Sequence, residues 1–413
     1  MFTYRDSILF IENVPYTDII EKYDTPVYVY SKQIIIQNSR RFKELFKNVP
    51  AMRIFFSVKS CSNISILKIM KQEGLGADIV SGGELYRCIK AGYQGKDIVY
   101  SGVGKTEKEI EYAIKSGILF FNAESVEEIY VIQSIAQRLR KRARLSFRMN
   151  PDIDAGTHHK ITTGKKESKF GIVYESIVDV MKNRKDFPNI DFIGIDVHIG
   201  SQILSPEPFQ RAFERIMEMK KSLIPYGLKA DYIDFGGGFG IVYDPRSQQD
   251  FPYEEYKNII ANELSGSDCN FIIEPGRSIV GNAAVLITKV LYTKETYGKK
   301  YIIVDAGFND LLRPAMYDAY HDIRPCTENN SAVIRADIAG PLCETGDVFA
   351  KEREIHPVSS GEHLSIFSAG AYGASMSSMY NSHPLAGEVL VEGGKVICIR
   401  KPYTYRDMVL REK

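Results

Sequence analysis

Eight short apolar runs alternate with amphipathic stretches between residues 54 and 274, and this alternation constrains the fold more than any other feature. The runs are Ile54–Lys59, Ala77–Val80, Asp97–Ser101, Ile118–Asn122, Arg144–Met149, Phe192–His198, Tyr232–Phe235 and Phe271–Glu274. The helix-like stretches between them include Gly82–Ala91, Thr106–Ser116, Ser125–Lys141 and Pro208–Leu223. Eight strands with helices between them are typical of an α/β fold of the (β/α)8, TIM-like barrel type. We therefore predict that this part of the chain forms such a barrel.

The pattern changes after Arg277, where strand-like runs follow one another with little helix between them. These runs are Val285–Tyr292, Lys300–Asp305, Ala332–Ile338, His363–Phe367 and Glu388–Ile399. They predict a C-terminal β-sandwich or β-barrel domain, which the early run Pro26–Tyr30 is expected to join. We thus expect an N-terminal segment over residues 1–35 that joins the β domain, a barrel over 36–278 and the β domain over 279–413.

The composition excludes several classes of partner. The formal net charge is +1, so neither a nucleic acid nor an anionic membrane is expected to bind. The six cysteines include no Cys-x-x-Cys pair, which argues against a metal site or a disulfide framework and favours reduced thiols in the cytoplasm. Residues 1–18 lack the apolar core of a signal peptide, and no run is long enough to span a bilayer. We expect a cytoplasmic protein whose partner is a small molecule.

Polar residues stand at the ends of the barrel runs, where a (β/α)8 barrel forms its active site. The first run delivers Lys59 between apolar flanks, and desolvation lowers the pKa of a lysine and makes it a better nucleophile toward carbonyls. The alternative is a lysine that only extends into solvent at a strand end. The later runs add further polar positions, namely Asp78, Arg148, His198, the loop Gly236–Gly240, Glu274 and Arg277.

Each of these positions also has a purely structural interpretation. Asp78 could cap the next helix, His198 could be a hydrogen-bonded core histidine, and Glu274 could form an ion pair with Arg277. The loop Gly236–Gly240 could be only a tight turn, since it lacks the Gly-x-Gly-x-x-Gly spacing of dinucleotide folds. The recurrence of such residues at successive strand ends favours one shared site.

The chemistry of this set fits pyridoxal 5'-phosphate (PLP). Lys59 offers an amine for a Schiff base, the glycine loop offers backbone N–H groups for a phosphate, and His198 offers a flat side chain for a ring. Glu274 would keep a pyridine nitrogen protonated, because an opposite charge favours the charged form. A protonated pyridine withdraws electrons from a carbanion at the α-carbon of a substrate. The site residues therefore predict an enzyme that acts on an amino acid.

The motifs resemble those of the alanine racemase-like, fold type III, PLP-dependent decarboxylases from about Pro26 to Arg406. In the barrel the similar motifs are Phe56–Lys59, Val80–Glu84, Asn150–Asp154 through Lys169–Gly171, His198–Gln202, Gly236–Gly240 and Glu274–Arg277. In the β domain they are Asp305–Tyr317, Gly340–Asp347 and Gly370–Gly373. Within this family, the chain looks most like the members that act on diaminopimelate.

The resemblance assigns roles to residues at the matching positions. Lys59 would carry the cofactor and His198 would stack on its ring. With the strand-end positions, the expected cofactor-binding residues are Lys59, Asp78, Arg148, His198, Ser201, Gly237, Gly238, Glu274, Gly276, Arg277 and Tyr372. The expected substrate-binding residues are Arg277, Arg313, Tyr317, Glu344 and Tyr372. Cys343 would be the acid that protonates the α-carbon, supplied by the partner subunit of a homodimer with shared active sites.

The activity that the resemblance implies is decarboxylation of meso-2,6-diaminopimelate to L-lysine and CO2, the last step of lysine biosynthesis. The sequence departs from the family at three positions: Phe56 stands where Tyr is usual, Cys61 where Asn is usual, and Asp196 where His is often found.

Two alternative functions remain open. One is a related decarboxylase of ornithine, arginine, carboxynorspermidine or a carrier-bound amino acid, and the other is a non-catalytic PLP-binding protein. Arg313 argues against a diamine-forming enzyme, because an arginine suits a second carboxylate. The large β domain with Cys343 and Glu344 argues against the non-catalytic protein.

Overall fold

The structure is a computed structural model, and it describes residues 1–49, 51–153, 156, 158–161, 163–164, 168–264 and 268–413. The chain divides into two compact units. The barrel unit contains Ser39–Ile241 and Asp250–Arg277, and the β unit contains Met1–Asn38, Val242–Gln249 and Ser278–Lys413. The expected barrel range 36–278 includes Val242–Gln249, which the structure groups with the β unit.

The N-terminal elements precede the barrel strands. They are β1 (Phe2–Arg5), β2 (Ile8–Ile11), β3 (Val14–Pro15), α1 (Tyr16–Tyr23), β4 (Val27–Ser31) and α2 (Lys32–Leu45). Strands and helices then alternate as β5 (Met52–Ser57), α3 (Ile64–Gln72), β6 (Gly76–Ile79), α4 (Gly82–Ala91), β7 (Ile98–Tyr100), α5 (Glu107–Ser116), β8 (Phe120–Ala123), α6 (Val126–Arg138), β9 (Ala143–Met149), α7 (Tyr174–Lys182), β10 (Ile190–Val197), α8 (Glu207–Leu223), β11 (Tyr232–Asp234), α9 (Tyr253–Leu264) and β12 (Asn270–Ile273).

Strands β5 to β12 form a closed parallel barrel, which confirms the predicted fold of this unit. They pair in chain order, and β12 pairs with β5 to complete the circle. Strands buried on both faces need near-continuous apolar sequence, as in β8, where all four residues are buried. A cluster of buried side chains packs inside this unit, formed by Phe55, Val99, Leu119, Phe120, Ile193 and Ile272.

Local sequence signals set the ends of the barrel helices. Helix α4 has the predicted bounds because the Ser81 side chain accepts a hydrogen bond from the Glu84 N–H and Gly92 ends it at φ 92°. Helix α5 begins with a capping box between Thr106 and Glu109. These signals lie next to the residues they control, so the sequence predicted these helices closely.

The remaining elements belong mainly to the β unit. They are α10 (Arg277–Val280), β13 (Ala284–Thr296), β14 (Lys299–Val304), α11 (Arg313–Tyr317), β15 (Ile323–Pro325), β16 (Ile334–Ala339), β17 (Val348–Ile355), β18 (His363–Ile366), β19 (Gly387–Glu392), β20 (Lys395–Arg400) and α12 (Tyr405–Val409). Nine strands form one sheet, in which β17-β16-β14-β13-β4-β19-β20 are successive neighbours. Strand β18 also pairs with β13, and β15 pairs with β18. A second sheet contains β1, β2 and β3.

The expectation that the N-terminal strand joins the β domain is confirmed, because β4 pairs with β13 and β19. The run Glu388–Ile399 proved to be a hairpin of β19 and β20, with Gly393 and Gly394 at φ 55° and 79° between them. Strand β17 was missed because its sequence, VFAKEREI, carries four charged residues. Among the described helices, none is both long and apolar enough to cross a membrane.

Gly194 is required by the packing of two barrel strands. It lies in β10 beside a register shift against β9, and an added Cβ would lie 2.5 Å from the main-chain oxygen of Tyr232 in β11. Gly194→Ala should therefore lower the free energy of unfolding by about 1–3 kcal/mol, the usual cost of overpacking. The measurement is the urea midpoint of each purified protein.

Gly83→Ala is the matched control, because its Cβ would meet only the Ser81 side-chain oxygen, at 3.7 Å. Alanine favours a helix more than glycine does, so this variant should keep or raise the midpoint. Equal midpoints for the two variants would show that the barrel wall tolerates a Cβ at Gly194.

Candidate active site

Lys59 lies in a 3₁₀ turn, Val58–Ser60, directly after β5. The strand itself ends at Ser57, two residues earlier than the predicted run. The Lys59 Nζ is 3.2 Å from Oδ2 of Asp78 on β6, and the Ser57 hydroxyl donates to the same oxygen at 2.8 Å. About a third of the lysine side chain, 34%, is exposed, whereas Asp78 is fully buried. The amine is thus held by a buried carboxylate but accessible to a ligand.

Asp78 does not cap a helix, so the structural interpretation of this residue is wrong. Helix α4 is capped by Ser81 instead. Burial opposes ionisation of Asp78, but nearby Lys59 and His198 and the hydrogen bond from Ser57 outweigh burial and hold the pKa of the carboxyl below its ordinary value. An ionised Asp78 is therefore available to orient the lysine.

His198 and Glu274 meet across the ends of β10 and β12. Nε2 of His198 lies 2.9 Å from Oε2 of Glu274, and Nδ1 lies 3.2 Å from Oδ1 of Asp196. Asp196 stands two residues before His198, and this spacing directs both side chains to one face. Asp78, His198 and Glu274 each bring one nitrogen or oxygen atom into a group whose members lie within 4.8 Å of one another.

Glu274 lies in a crowded acidic region with Asp78, Asp196 and Asp234, and all four carboxyls are buried. Burial, with these three neighbours, raises the pKa of Glu274 well above its ordinary value. Burial and Asp196 likewise raise the pKa of Asp234 to about 7. The region therefore favours a proton or a cation near Glu274. A protonated pyridine nitrogen supplies both, so the buried acids fit the cofactor that the sequence predicts.

The loop Gly236–Gly240 follows β11, and its glycines are required by close backbone contacts. A Cβ at Gly237 would lie 2.2 Å from the Glu274 carbonyl oxygen, and one at Gly238, where φ is +109°, would lie 2.7 Å from the Gly200 carbonyl oxygen. The Gly236 N–H donates to Oδ1 of Asp234 at 2.9 Å. The loop is thus tightly packed against its neighbours, and its Gly236 N–H is bound to Asp234, so a phosphate would have to be met by the N–H groups of the later glycines.

Three predicted residues lie near the end of β12 and the β10 loop. A Cβ on Gly276 would meet the Ser57 Cβ at 2.8 Å, so only glycine fits there. Arg277 begins α10 and donates from Nη2 to the Ser201 hydroxyl at 2.9 Å. Arg277 thus contacts Ser201, whereas the Glu274 carboxyl contacts His198.

Glu124 is a site residue that the sequence analysis missed. It follows β8, and its Oε1 accepts from Nη1 of buried Arg148 at 2.6 Å. Its carboxylate also accepts from the N–H groups of Gly102 and Gly171, at 3.1 and 2.9 Å. Its position directly after a strand was the signal in the sequence that could have identified Glu124 as a site residue. In the motif 150–171, residues 154, 155, 157, 162 and 165–167 lie outside the described part of the chain.

The other predicted residues belong to the β unit. Arg313 and Tyr317 are the first and last residues of α11, and Arg313 is buried. Cys343 and Glu344 are exposed in the loop between β16 and β17. Tyr372 follows β18 and has φ 56°, in the left-handed region that non-glycine residues rarely adopt.

The barrel unit has the features of a pyridoxal-binding barrel: a closed parallel sheet with a lysine, a histidine, a buried carboxyl and a glycine loop at the carboxyl ends of its strands. A sequence profile of the family described as "Pyridoxal-dependent decarboxylase, pyridoxal binding domain" matches residues 34–281. This match covers more than half of the chain, and it makes pyridoxal phosphate the cofactor of the barrel.

Full-length relatives define the family further. A diaminopimelate decarboxylase of Aquifex aeolicus is 45% identical over 402 residues, which cover 97% of this chain and 95% of the relative. A crystal structure of diaminopimelate decarboxylase from Helicobacter pylori, complexed with L-lysine, is 40% identical with a TM-score of 0.92 and covers 96% of this chain and 99% of its own. The corresponding structure from M. jannaschii, also with L-lysine, is 35% identical with a TM-score of 0.94 and covers 100% and 98%. The chain belongs to the diaminopimelate decarboxylase family.

Glu274→Gln should change how the stability of the cofactor-free protein depends on pH. A carboxyl whose folded-state pKa is raised binds more protons in the folded than in the unfolded protein as pH rises above its ordinary value of 4.5. The contribution of Glu274 to the free energy of unfolding therefore falls as pH rises from about 4.5 through the folded-state pKa. Glutamine does not titrate, so the variant should gain stability relative to wild type between pH 5 and pH 8. Urea midpoints of both proteins at the two pH values measure this.

The control is Glu255→Gln on the exposed side of α9. Its difference from wild type should be the same at both pH values. A Glu274→Gln difference that is also independent of pH would contradict the raised pKa.

Proposed function

We propose that this chain is a PLP-dependent carboxy-lyase that converts meso-2,6-diaminopimelate to L-lysine and CO2, the last step of lysine biosynthesis. The observation that carries the proposal is the full-length similarity to diaminopimelate decarboxylases, in a chain whose barrel gathers Lys59, Asp78, His198 and Glu274 at its strand ends. The cofactor-bound protein would perform the reaction on one of the two amino acid ends of the substrate.

The barrel residues would hold the cofactor by groups of matching chemistry. Pyridoxal phosphate, when bound, supplies an electron-poor ring that accepts the electron pair left on the α-carbon when CO2 departs. Lys59 would bind the cofactor's aldehyde carbon, and Asp78 orients its amine. Glu274 would hold a proton at the ring nitrogen, and His198 would cover the ring face. The phosphate would be held by Ser201, the N–H groups of Gly237, Gly238 and Gly276, Arg277 and Tyr372.

Arg148 would act behind this first set of residues. Its Nε lies 3.8 Å from Oδ2 of Asp196, the residue that contacts His198. Its Nη1 is paired with Glu124. Arg148 thus lies on the far side of Asp196 from His198, and it would fix the orientation of Asp196 and the histidine rather than touch the substrate.

The substrate has a second amino acid end, which does not react and must be bound. Its carboxylate would be held by Arg277, Arg313 and Tyr317, and its ammonium by Glu344, with Tyr372 beside it. An arginine can bind a carboxylate through two parallel hydrogen bonds, which fixes orientation as well as charge. Ornithine and arginine lack this second carboxylate, so Arg313 supports diaminopimelate over those substrates.

Cys343 would donate the proton that replaces CO2 on the α-carbon. It lies with Glu344 in an exposed loop of this single chain, and Asp347 holds the loop by accepting from the N–H groups of Phe308 and Leu342 at 2.7 and 2.8 Å. Exposure of both residues supports a homodimer in which each protomer completes the active site of its partner. All six cysteines are free thiols, which supports a cytoplasmic location.

The substrate is tested by a profile of CO2 release. With PLP, the protein should convert diaminopimelate to L-lysine and act poorly on ornithine, arginine and carboxynorspermidine. Arg313→Lys should lower kcat/KM for diaminopimelate by a factor on the order of ten to several hundred, because losing a buried charge-assisted contact costs about 2–4 kcal/mol, less what the lysine recovers. Its cofactor absorbance should match that of wild type.

Lys59→Ala is the inactive control for this assay. Faster CO2 release from one of the other amino acids would show that this amino acid, and not diaminopimelate, is the preferred substrate. Bound cofactor without any CO2 release would favour the non-catalytic PLP-binding protein.

The shared site is tested by mixing two inactive variants. Lys59→Ala and Cys343→Ala protomers should regain activity together, because one site of each mixed dimer would contain both native residues. About a quarter of wild-type activity is expected after full exchange, if half of the dimers are mixed and each has one intact site. Activity is measured after subunit exchange is verified with two affinity tags. Verified mixed dimers that remain inactive would contradict an active site that combines Lys59 of one protomer with Cys343 of its partner.

A further inference from the structure

The guanidinium of Arg313 contacts two aromatic side chains of the β unit. Its Nη1 is 2.7 Å from Nε2 of His321, and its central carbon is 4.2 Å from the centroid of the Tyr243 ring. The rings of Tyr243 and His321 meet edge to face, with centroids 5.2 Å apart and an angle of 74°. All three side chains are buried. These contacts restrict both the position and the plane of the guanidinium.

The same contacts determine which nitrogen of His321 carries a hydrogen. Nδ1 lies 2.8 Å from the carbonyl oxygen of Phe367, which can only accept, so Nδ1 must donate. Nε2 faces a guanidinium, which can only donate, so Nε2 must accept. His321 is therefore neutral, with its hydrogen on Nδ1. Arg353 adds a second guanidinium, which donates to the His321 main-chain oxygen at 2.9 Å and further disfavours a positive imidazole.

We propose that His321 and Tyr243 are positioning residues that orient the Arg313 guanidinium for a substrate carboxylate without cancelling its charge. A carboxylate in the place of the His321 side chain would offset part of the positive charge that the substrate needs. A neutral imidazole accepts a hydrogen bond and leaves the charge in place. The Tyr243 face supports the plane of the guanidinium by a cation–π contact.

This inference rests on the proposed function for the identity of the Arg313 ligand, the non-reacting carboxylate of the substrate. It adds an explanation of specificity: the arginine is fixed before the substrate arrives, so little orientational freedom is lost on binding. His321 and Tyr243 hold the guanidinium in place, whereas Arg313 itself supplies the positive charge. Substitutions of His321 can therefore separate the effect of positioning from the effect of charge.

The protonation of His321 is tested without any activity measurement. The cofactor-bound protein is labelled with ¹⁵N-histidine, and the His321 signals are identified as those missing from His321→Gln. At pH 7 they should show a neutral ring with its hydrogen on Nδ1. A positive ring, or a hydrogen on Nε2, would overturn the proposal even in a fully active enzyme.

The effect on the substrate is tested with three substitutions of His321. Leu removes the acceptor, and its KM for diaminopimelate should rise about tenfold, equivalent to about 1.4 kcal/mol, with a smaller change in kcat. Gln keeps a neutral acceptor and should recover most of the wild-type KM. Glu keeps an acceptor but adds a negative charge, so its KM should stay as high as that of the Leu variant or higher. Cofactor absorbance should be unchanged throughout.

Two controls separate positioning from general structure. His356→Leu removes a partly exposed histidine whose Nδ1 also contacts a carbonyl oxygen, that of Ser331 at 2.8 Å, and should leave KM unchanged. Tyr243→Phe should keep KM near the wild-type value, whereas Tyr243→Leu should raise it.

Gln and Glu are similar in size, so their comparison remains decisive if the Leu variant does not fold. Equal KM values for these two variants would overturn the role of charge. A wild-type protein that does not release CO2 from diaminopimelate would instead refute the proposed function, and the histidine NMR result would still stand.

Discussion

The arrangement of the barrel unit depends on the burial of several carboxyls at one end of a parallel sheet. Asp78, Asp196, Asp234 and Glu274 are each at most 1% exposed. Buried charge is costly unless it is paired, so the chain must supply protons, cations or N–H donors around these groups. Lys59 lies against Asp78, and His198 lies between Asp196 and Glu274. Burial and the neighbouring carboxyls still raise the pKa of Glu274, and a cationic cofactor ring beside it would compensate this concentration of negative charge.

The closed barrel makes this concentration of charge possible. Parallel strands bring their carboxyl ends to one face, so residues far apart in sequence converge there. Asp78 and Glu274 stand on or after strands β6 and β12, yet each brings an oxygen into the group that spans 4.8 Å. The same closure requires glycine where backbones meet, as at Gly237, where a Cβ would lie 2.2 Å from a carbonyl oxygen.

The β unit solves a different electrostatic problem. Arg313 is buried, and its contacts include a neutral histidine and a tyrosine ring. The carbonyl of Phe367 selects the tautomer of His321, and this tautomer turns an acceptor toward the arginine. In the barrel unit, by contrast, buried Arg148 pairs with the carboxylate of Glu124. The histidine adds no negative charge beside Arg313, whereas Glu124 offsets the charge of Arg148, in keeping with the different roles proposed for the two arginines.

The sequence alone determined the eight-strand alternation, the helix ends with adjacent capping residues, and the identity of Lys59, His198, Glu274 and the glycine loop as candidates. These features depend on short-range patterns, because hydrophobic period and capping are set within a few residues. Only the tertiary structure decided that Ser81 caps α4 and that Asp78 contacts Lys59. Tertiary structure also revealed Glu124 beside Arg148 and His321 beside Arg313. These partners are set by strand order and packing between distant segments, for which a single sequence carries no local signal.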